Sequence, residues 1–294
     1  EKAADNRETK NKQSKTLVRG VFVLMPAMLI AKIIGLFYKI PLLSVVGVTG
    51  MAYFLSAYHI YALLFVLCAA GLPTALSLCV SQSIAAGKNP GRALWLSLGL
   101  FLSLGALFGT LLFFFSPLIA NAISQKDAAE CLAVIAPALL LGAFTGAVKG
   151  YFQGRQNMLP TAKSQILEAC VKLVAGISAA WLIHSNLTAS AAAGTLGWPG
   201  TPQQIELRIL QYSAAGAVLG VSFSTLCGLL LIRRQYRKTR IDGRGRYSGA
   251  AAGQLCRIAL PIALTSLCAN LTTVIDLSSV MNCLKNAVLR GGDT

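Results

Sequence analysis

Seven apolar segments, each near the length that crosses a lipid bilayer, constrain this chain more than any other feature. They lie at residues 17–43, 52–85, 94–117, 131–152, 164–185, 207–232 and 258–284. A helix rises 1.5 Å per residue, so about 20 residues cross the ~30 Å hydrocarbon core. Lipid offers no partner for backbone polar groups, so segments of this length must be helical. The sequence therefore predicts an all-α, polytopic bundle of about seven transmembrane helices.

The composition supports a membrane protein and argues against other classes. Apolar residues make up 55% of the chain and charged residues 12%, the reverse of the balance that keeps a soluble protein of this size in solution. The formal net charge of +16 arises from basic residues between the apolar segments, which indicates topology and not nucleic-acid binding. The eight cysteines form no CxxC or Cys/His cluster, so we expect no metal and no cofactor.

Basic residues alternate between the connections and predict an orientation. They precede the first segment and follow the second, fourth and sixth, most densely between Arg233 and Arg257. By the positive-inside rule, these connections and the N-terminus are cytoplasmic, and residues 188–204 form an exterior loop. The cluster from Arg233 to Arg257 also has the composition that attracts anionic lipid headgroups, although a topology signal alone would explain it.

The two ends of the chain lead to two further expectations. The sequence begins at Glu1 without methionine and stops at Thr294 soon after an apolar segment, so we expect part of a longer protein. Residues 1–16 are polar and predict a disordered cytoplasmic tail. The first apolar segment is too long for a signal-peptide core and is expected to remain as a helix.

Two lysines within the first segment need a physical explanation. Lys32 and Lys39 are seven residues apart, which places them on nearly the same helical face. Lys32 falls near the middle of the membrane, where an ammonium costs about 2.5–3.5 kcal/mol on insertion scales. We expect Lys32 to line a polar cavity, whereas Lys39 could line it or extend to the exterior interface.

Four other ionisable residues are predicted at membrane depth, and they leave a positive balance. Glu168 and Lys172 are four apart in the orientation that favours an intrahelical ion pair, and Lys149 is expected to extend to the cytoplasmic interface. Asp276 is a candidate for ion or proton coupling, or for pairing with a lysine. His59 lies among tyrosines, as in an aromatic belt, and is not predicted to bind a ligand.

Signatures of catalysis are missing from the sequence. It has no HExxH, no GxSxG, no glycine-rich phosphate loop and no paired aspartates for a metal-bound diphosphate. We therefore predict no catalytic residues and no enzymatic activity. Prolines at the ends of apolar segments and inside them, such as Pro26 and Pro137, instead favour the kinked helices of a transporter.

Several stretches together resemble a known family. They are Tyr58-His59-Ile60-Tyr61, Gly71-Leu72-Pro73-Thr74-Ala75-Leu76-Ser77, Gly150-Tyr151-Phe152-Gln153-Gly154, and Pro160-Thr161-Ala162-Lys163-Ser164-Gln165 with Glu168. This pattern resembles the polysaccharide biosynthesis proteins close to stage V sporulation protein B. That family belongs to the superfamily of multidrug, oligosaccharidyl-lipid and polysaccharide exporters, whose bacterial members include lipid II flippases of peptidoglycan synthesis.

The resemblance implies a domain organisation and a transport mechanism. It implies about fourteen helices in two lobes, with substrate carried through a central cleft by alternating access. Residues 17–232 would form the first six-helix lobe, 233–257 the cytoplasmic linker between lobes, and 258–294 the first helix of the second lobe.

The leading hypothesis is a flippase for an undecaprenyl-diphosphate-linked saccharide such as lipid II, in a bacterial plasma membrane. Lys32 and Lys39 would attract the diphosphate, Lys172 would assist if Glu168 released it, and Gln153 would contact sugar. A cation-coupled multidrug exporter of the same fold and a non-transporting accessory subunit of polysaccharide synthesis stay open as alternatives.

Overall fold

The structure is a computed structural model that describes residues 2–66, 71–87, 90–123, 125–195 and 197–238, and isolated positions between 257 and 279. Its regular secondary structure in these ranges is helical. The helices are α1 Lys2–Phe65, α2 Gly71–Ala85, α3 Gly91–Phe114, α4 Ser116–Ala122, α5 Ala129–Gly154, α6 Leu159–Ala192 and α7 Pro202–Lys238, with a 3₁₀ turn at Lys126–Ala128.

The described part of the chain confirms an all-α, polytopic membrane bundle. Five described stretches are long and apolar enough to cross a bilayer: Phe22–Phe65, Ala93–Phe114, Lys126–Gly154, Leu159–Ala192 and Pro202–Arg237. The first of them has 44 residues, about twice the length of one crossing. It therefore accounts for the first predicted segment and the beginning of the second.

Helix α1 consists of two arms that meet at Gly47. This residue has φ 66° and ψ −177°, a non-helical conformation that glycine adopts at no steric cost. The first arm, residues 2–46, covers the first predicted segment. The second arm, residues 48–65, and helix α2 together cover the second predicted segment. Pro26 and Pro41 lie within the first arm.

Several boundaries differ from the sequence-based expectation. Helix α1 begins at Lys2, so residues 2–16 are helical instead of disordered; they contain no glycine or proline to stop the helix. Helix α6 continues to Ala192, which shortens the expected exterior loop. Helix α7 continues to Lys238, so the first residues of the expected linker form the last turns of this helix. Basic side chains are favourable there, because they interact with the negative end of the helix dipole.

Part of the prediction falls beyond the described ranges. Residues 239–256 of the expected linker lie outside the described residues. The seventh predicted segment, 258–284, lies largely outside them, and Asp276 lies outside them entirely.

Helix α5 forms the centre of the bundle and packs against α1, α2, α3 and α7, while α6 and α7 pack along each other. Small residues allow these close contacts. A Cβ added to Gly220 of α7 would overlap the backbone of Gly176 in α6, and one added to Gly105 of α3 would lie 2.8 Å from Ala143 Cβ in α5. Membrane helices associate through such packing because lipid supplies no hydrophobic driving force between them.

The Gly-Tyr-Phe-Gln-Gly stretch has a packing role in α5. Tyr151 and Phe152 are completely or almost completely buried. A Cβ added to Gly150 would lie 2.6 Å from the Pro73 carbonyl oxygen, and one added to Gly154 would lie 2.6 Å from the Ser77 carbonyl oxygen. The two glycines therefore let α2 lie directly against α5.

We expect Gly150→Ala to destabilise the protein by about 2 kcal/mol, within the range of overpacked cores. The added methyl group meets the backbone of Pro73, which cannot move away as a side chain could. Thermal unfolding in detergent measures this effect. Gly99→Ala in α3 is the matched control, since nothing lies within 4 Å of its added Cβ. The close-packing interpretation fails if both variants unfold at the same temperature.

Candidate functional site

A cavity of about 570 Å³ lies between α1, α6 and α7. Its walls combine apolar and aromatic side chains with a concentrated set of polar ones. The polar and charged residues of the lining, tyrosines aside, are Lys32, Lys39, Gln165, Glu168, Lys172, Ser224 and Thr225. The cavity is large enough for a substantial polar group of a substrate, in the range of small-molecule binding sites.

The first arm of α1 supplies two of the cations. Lys32 and Lys39 are separated by two helical turns, so both project from the same face of the arm and both line the cavity. Gly35, between them, also lines it and leaves the surface between the two lysines open, since nothing lies within 4 Å of its added Cβ. The two ammonium groups therefore belong to one site.

Helix α6 presents the facing set of polar side chains. Gln165, Glu168 and Lys172 follow each other at intervals of three and four residues, so they form one stripe along the helix. This stripe faces the same cavity as Lys32 and Lys39. The bundle thus brings three lysines from two helices to one site.

The predicted Glu168–Lys172 ion pair is wrong. Glu168 instead pairs with Lys149 of α5, whose Nζ lies 2.9 Å from Oε1 and 3.2 Å from Oε2. Ser164 Oγ donates a further hydrogen bond of 3.3 Å to Oε1. Gly228 of α7 leaves the space that the Glu168 carboxylate occupies, since an added Cβ there would overlap it. The tertiary contact therefore replaces the intrahelical one.

Lys149 also differs from expectation. Its side chain was predicted to extend to the interface, but only 15% of it is exposed, and it turns inward to Glu168. A carboxylate on the neighbouring helix stabilises an ammonium group more than partial hydration at the membrane interface does. Lys149 and Glu168 neutralise each other at the edge of the cavity.

Lys172 lies between two aromatic rings. Its Nζ is 5.6 Å from the ring centroid of Tyr38 and 5.4 Å from that of Tyr58. Both distances are within the range of cation–π attraction, which stabilises an ammonium without neutralising it. Tyr38 is held in place by a 3.3 Å hydrogen bond from its hydroxyl to the Ala217 carbonyl and by its contact with Gly176. Lys172 forms no ion pair within the described residues, and it lines the cavity.

The cavity carries an excess of positive charge. Lys32, Lys39 and Lys172 contribute three positive charges, and among the described lining residues the single carboxylate, Glu168, is already paired with Lys149. Ammonium groups attract phosphate as point charges. The arrangement is thus suited to an anionic group such as a phosphate or a diphosphate, which ammonium groups can bind in more than one orientation.

Gln153, which the sequence predicted to contact sugar, is not part of the lining of this cavity. It lies near the end of α5, half-buried between the buried residues Phe152 and Gly154. Gln165 of α6 does line the cavity. Its Oε1 is buried and has no hydrogen-bond partner among the described residues. The spacing of Gln165 from Glu168 and Lys172 was the sequence signal that could have identified it.

Ser224 and Thr225 of α7 were not anticipated from the sequence. Both hydroxyl groups donate to the Val221 carbonyl oxygen, and both residues line the cavity. Their lone pairs stay available as acceptors. The sequence of an apolar helix does not distinguish serines and threonines that line a cavity from those that only form hydrogen bonds with the backbone of their own helix.

The remaining candidates lie elsewhere. His59 does not line the cavity, and its Nδ1 is buried with no hydrogen-bond partner in the described part of the chain. No group of three or more His, Cys, Asp or Glu side chains that could hold a metal occurs among the described residues.

The chain is similar in sequence to known membrane proteins of one family. The sequence model of the family described as "polysaccharide biosynthesis protein" matches residues 17–291. The chain is 32% identical over 181 residues to the lipid II flippase MurJ of Bacillus subtilis (strain 168), an alignment that covers 58% of this chain and 33% of that protein. It is 28% identical over 232 residues to stage V sporulation protein B of the same organism, covering 76% of this chain and 40% of that protein. The chain thus spans about a third to two fifths of the length of these relatives.

The fold resembles solved transporter structures. The crystal structure of a MATE protein in complex with MaD3S aligns with a TM-score of 0.66 at 18% identity, and the alignment covers 86% of this chain and 53% of that chain. At this identity the likeness concerns the fold alone. It agrees with the expectation that the described helices form a transporter-type bundle.

Proposed function

Because the chain belongs to the polysaccharide biosynthesis protein family, we propose that it forms part of a flippase for an undecaprenyl-diphosphate-linked saccharide such as lipid II. In this proposal it contributes the first lobe and one further helix of a two-lobed transporter. The transporter moves its substrate across the bacterial plasma membrane by alternating access. The N-terminus and the basic end of α7 lie on the cytoplasmic side, in accordance with the positive-inside rule.

The observation that carries this proposal is the convergence of Lys32, Lys39 and Lys172 on one cavity whose carboxylate is neutralised by Lys149. A diphosphate carries the complementary negative charge, and its attraction to three ammonium groups offsets part of the cost of desolvating it in the membrane. Lysine contacts phosphate through a compact charge on a flexible side chain, without the rigid two-pronged geometry of an arginine guanidinium. Binding of this kind favours entry and still permits release on the other side.

The polar residues beside the lysines fit the remainder of such a substrate. Gln165 offers a buried carbonyl oxygen without a partner, and Ser224 and Thr225 offer hydroxyl oxygens. These acceptors match the hydroxyl and amide donors of a saccharide. The tyrosines that line the cavity, Tyr38, Tyr58 and Tyr61, supply flat apolar surfaces beside them.

A cation-coupled multidrug exporter is the second candidate, and the likeness to a MATE fold favours it. An exporter of organic cations needs a negative cavity, because like charges repel in a medium of low dielectric constant. The three lysines therefore weigh against it. A non-transporting accessory subunit would need no cavity of this size and charge.

The full-length protein, reconstituted in liposomes, tests the proposal. We expect it to translocate a fluorescent undecaprenyl-diphosphate-linked saccharide and to leave the corresponding undecaprenol-linked saccharide, which lacks the phosphates, where it was added. Translocation is measured from the accessibility of the fluorophore to an external reagent. Accumulation of a cationic dye in place of the lipid would support the exporter, and inactivity toward both probes would support the accessory subunit.

A further inference from the structure

A second large opening lies on the other side of the bundle. This cleft, of about 750 Å³, is formed by α3, α5 and α7. Most of its wall is apolar, with Leu94 and Leu98 from α3, Val148 from α5, and Leu226 and Leu230 from α7. An apolar opening of this kind in a membrane protein is suited to a hydrocarbon chain and not to the polar part of a saccharide.

Two arginines mark one end of this cleft. Arg233 and Arg237 both line it, and they are four residues apart on α7, so they lie on the same face one turn from each other. The lining contains no carboxylate, and within the described residues neither arginine forms an ion pair. Two positive charges at the mouth of an apolar cleft are complementary to a phosphate joined to a hydrocarbon chain.

Aromatic residues at the same end have the composition of a membrane interface. Trp95, near the start of α3, and Tyr236, which lies between the two arginines in the sequence of α7, both line the cleft. The ring centroids of Tyr236 and Tyr151 are 6.5 Å apart, and Arg155 Cζ lies 5.8 Å from the ring centroid of Tyr151. Tryptophan and tyrosine concentrate at the depth of lipid headgroups, so this end of the cleft belongs at the boundary between headgroups and hydrocarbon.

The length of the cleft matches one leaflet. From Arg237 to Leu226 the lining residues of α7 span eleven positions, which is about 16 Å along a helix. Half of the ~30 Å hydrocarbon core is about 15 Å. A lipid whose phosphate lies at the arginines would therefore extend its chain along the full cleft to the middle of the membrane.

From these observations we infer that the cleft binds one anionic phospholipid. Its phosphate contacts Arg233 and Arg237, and one acyl chain lies between α3, α5 and α7. The site is separate from the lysine cavity, which lies between α1, α6 and α7. Because α7 lines both, with Ser224 and Thr225 on one side and Leu226 and Leu230 on the other, the bound lipid would support the helix that forms one wall of the cavity.

Quenching of Trp95 fluorescence by brominated lipid tests the inference, since Trp95 lines the cleft. The full-length protein is reconstituted in phosphatidylcholine vesicles that contain equal fractions of dibrominated phosphatidylglycerol or dibrominated phosphatidylcholine. The signal of Trp95 is the difference between the wild type and Trp95→Phe. We expect phosphatidylglycerol to quench it at a much lower fraction than phosphatidylcholine does.

The double variant Arg233→Gln/Arg237→Gln should lower the preference for phosphatidylglycerol about 30-fold, at roughly 1 kcal/mol for each charge. The matched control is Arg234→Gln/Lys163→Gln, which removes two exposed charges outside the cleft. It should keep the preference. Arg233→Lys/Arg237→Lys keeps the charges and should keep most of the preference, which separates loss of binding from loss of folding.

Two results would overturn the inference. One is equal quenching of Trp95 by the two brominated lipids in the wild type. The other is an equal loss of preference in the cleft variant and in the Arg234/Lys163 control, because that would indicate attraction by the basic surface in general. Neither result bears on translocation, so the inference and the proposed flippase activity can fail independently.

Discussion

Replacing Lys32 and Lys39 together with alanine is expected to reduce translocation of a diphosphate-linked lipid at least 100-fold. Hydrogen bonds to charged groups contribute about 1.5–3 kcal/mol each, and each 1.4 kcal/mol corresponds to a factor of ten. Both side chains line the cavity, and both are exposed to it instead of being packed. Their removal should therefore weaken binding without weakening the fold. The liposome assay measures the effect directly, and complementation of a flippase-depleted strain measures it in cells.

Two controls make this prediction specific. Lys32→Arg/Lys39→Arg keeps both charges and should retain most of the activity. Lys126→Ala/Lys163→Ala removes two lysines that are exposed and lie outside the cavity, and it should transport as the wild type does. Full complementation by the Lys32/Lys39 alanine variant at a normal protein level would refute the role of the cavity.

The second large effect is expected at the Lys149–Glu168 ion pair. Glu168→Gln should lower the stability by about 3 kcal/mol, because it leaves a largely buried ammonium without its counter-charge. For a chain of this size that corresponds to a fall of about 6–12 °C in the thermal midpoint in detergent. The double variant Lys149→Met/Glu168→Gln should recover most of this loss, since no unpaired charge remains.

The same series distinguishes the two possible partners of Glu168. If Lys149 is the partner, Lys172→Met should not rescue Glu168→Gln, whereas the intrahelical pair that the sequence alone suggests would predict rescue by Lys172→Met. Glu206→Gln at the exposed start of α7 is the matched control and should leave the midpoint unchanged. Rescue by Lys172→Met and not by Lys149→Met would contradict the pairing described above.

The helical character of the chain could be predicted because it depends on local composition. A run of about 20 apolar residues has one stable conformation in lipid, whatever surrounds it. The predicted segments at 94–117 and 131–152 accordingly agree with α3 and α5 to within three residues at each end. The boundaries of α6 and α7 were less predictable, since their polar ends continue the helix beyond the apolar run.

The resemblance added what composition could not. The Gly-Tyr-Phe-Gln-Gly stretch indicated the family, which the match over residues 17–291 confirms. In the structure this stretch is a packing element, because Gly150 and Gly154 allow α2 to pack closely against α5. A motif can therefore identify a family through residues that pack helices together, as Gly150 and Gly154 do.

The sequence by itself determined that this chain is a membrane helix bundle with an excess of cations at membrane depth, and it placed Lys32 and Lys39 on one helical face. These properties follow from local composition and from the period of the helix. Only the tertiary structure decided which charges meet. Helix α5 brings Lys149 to Glu168, Gly228 of α7 leaves room for the carboxylate, and Tyr38 and Tyr58 hold Lys172 as a free charge. A charged group in a medium of low dielectric constant takes the partner that the packing of helices brings nearest, and that partner is not set by its distance along the chain.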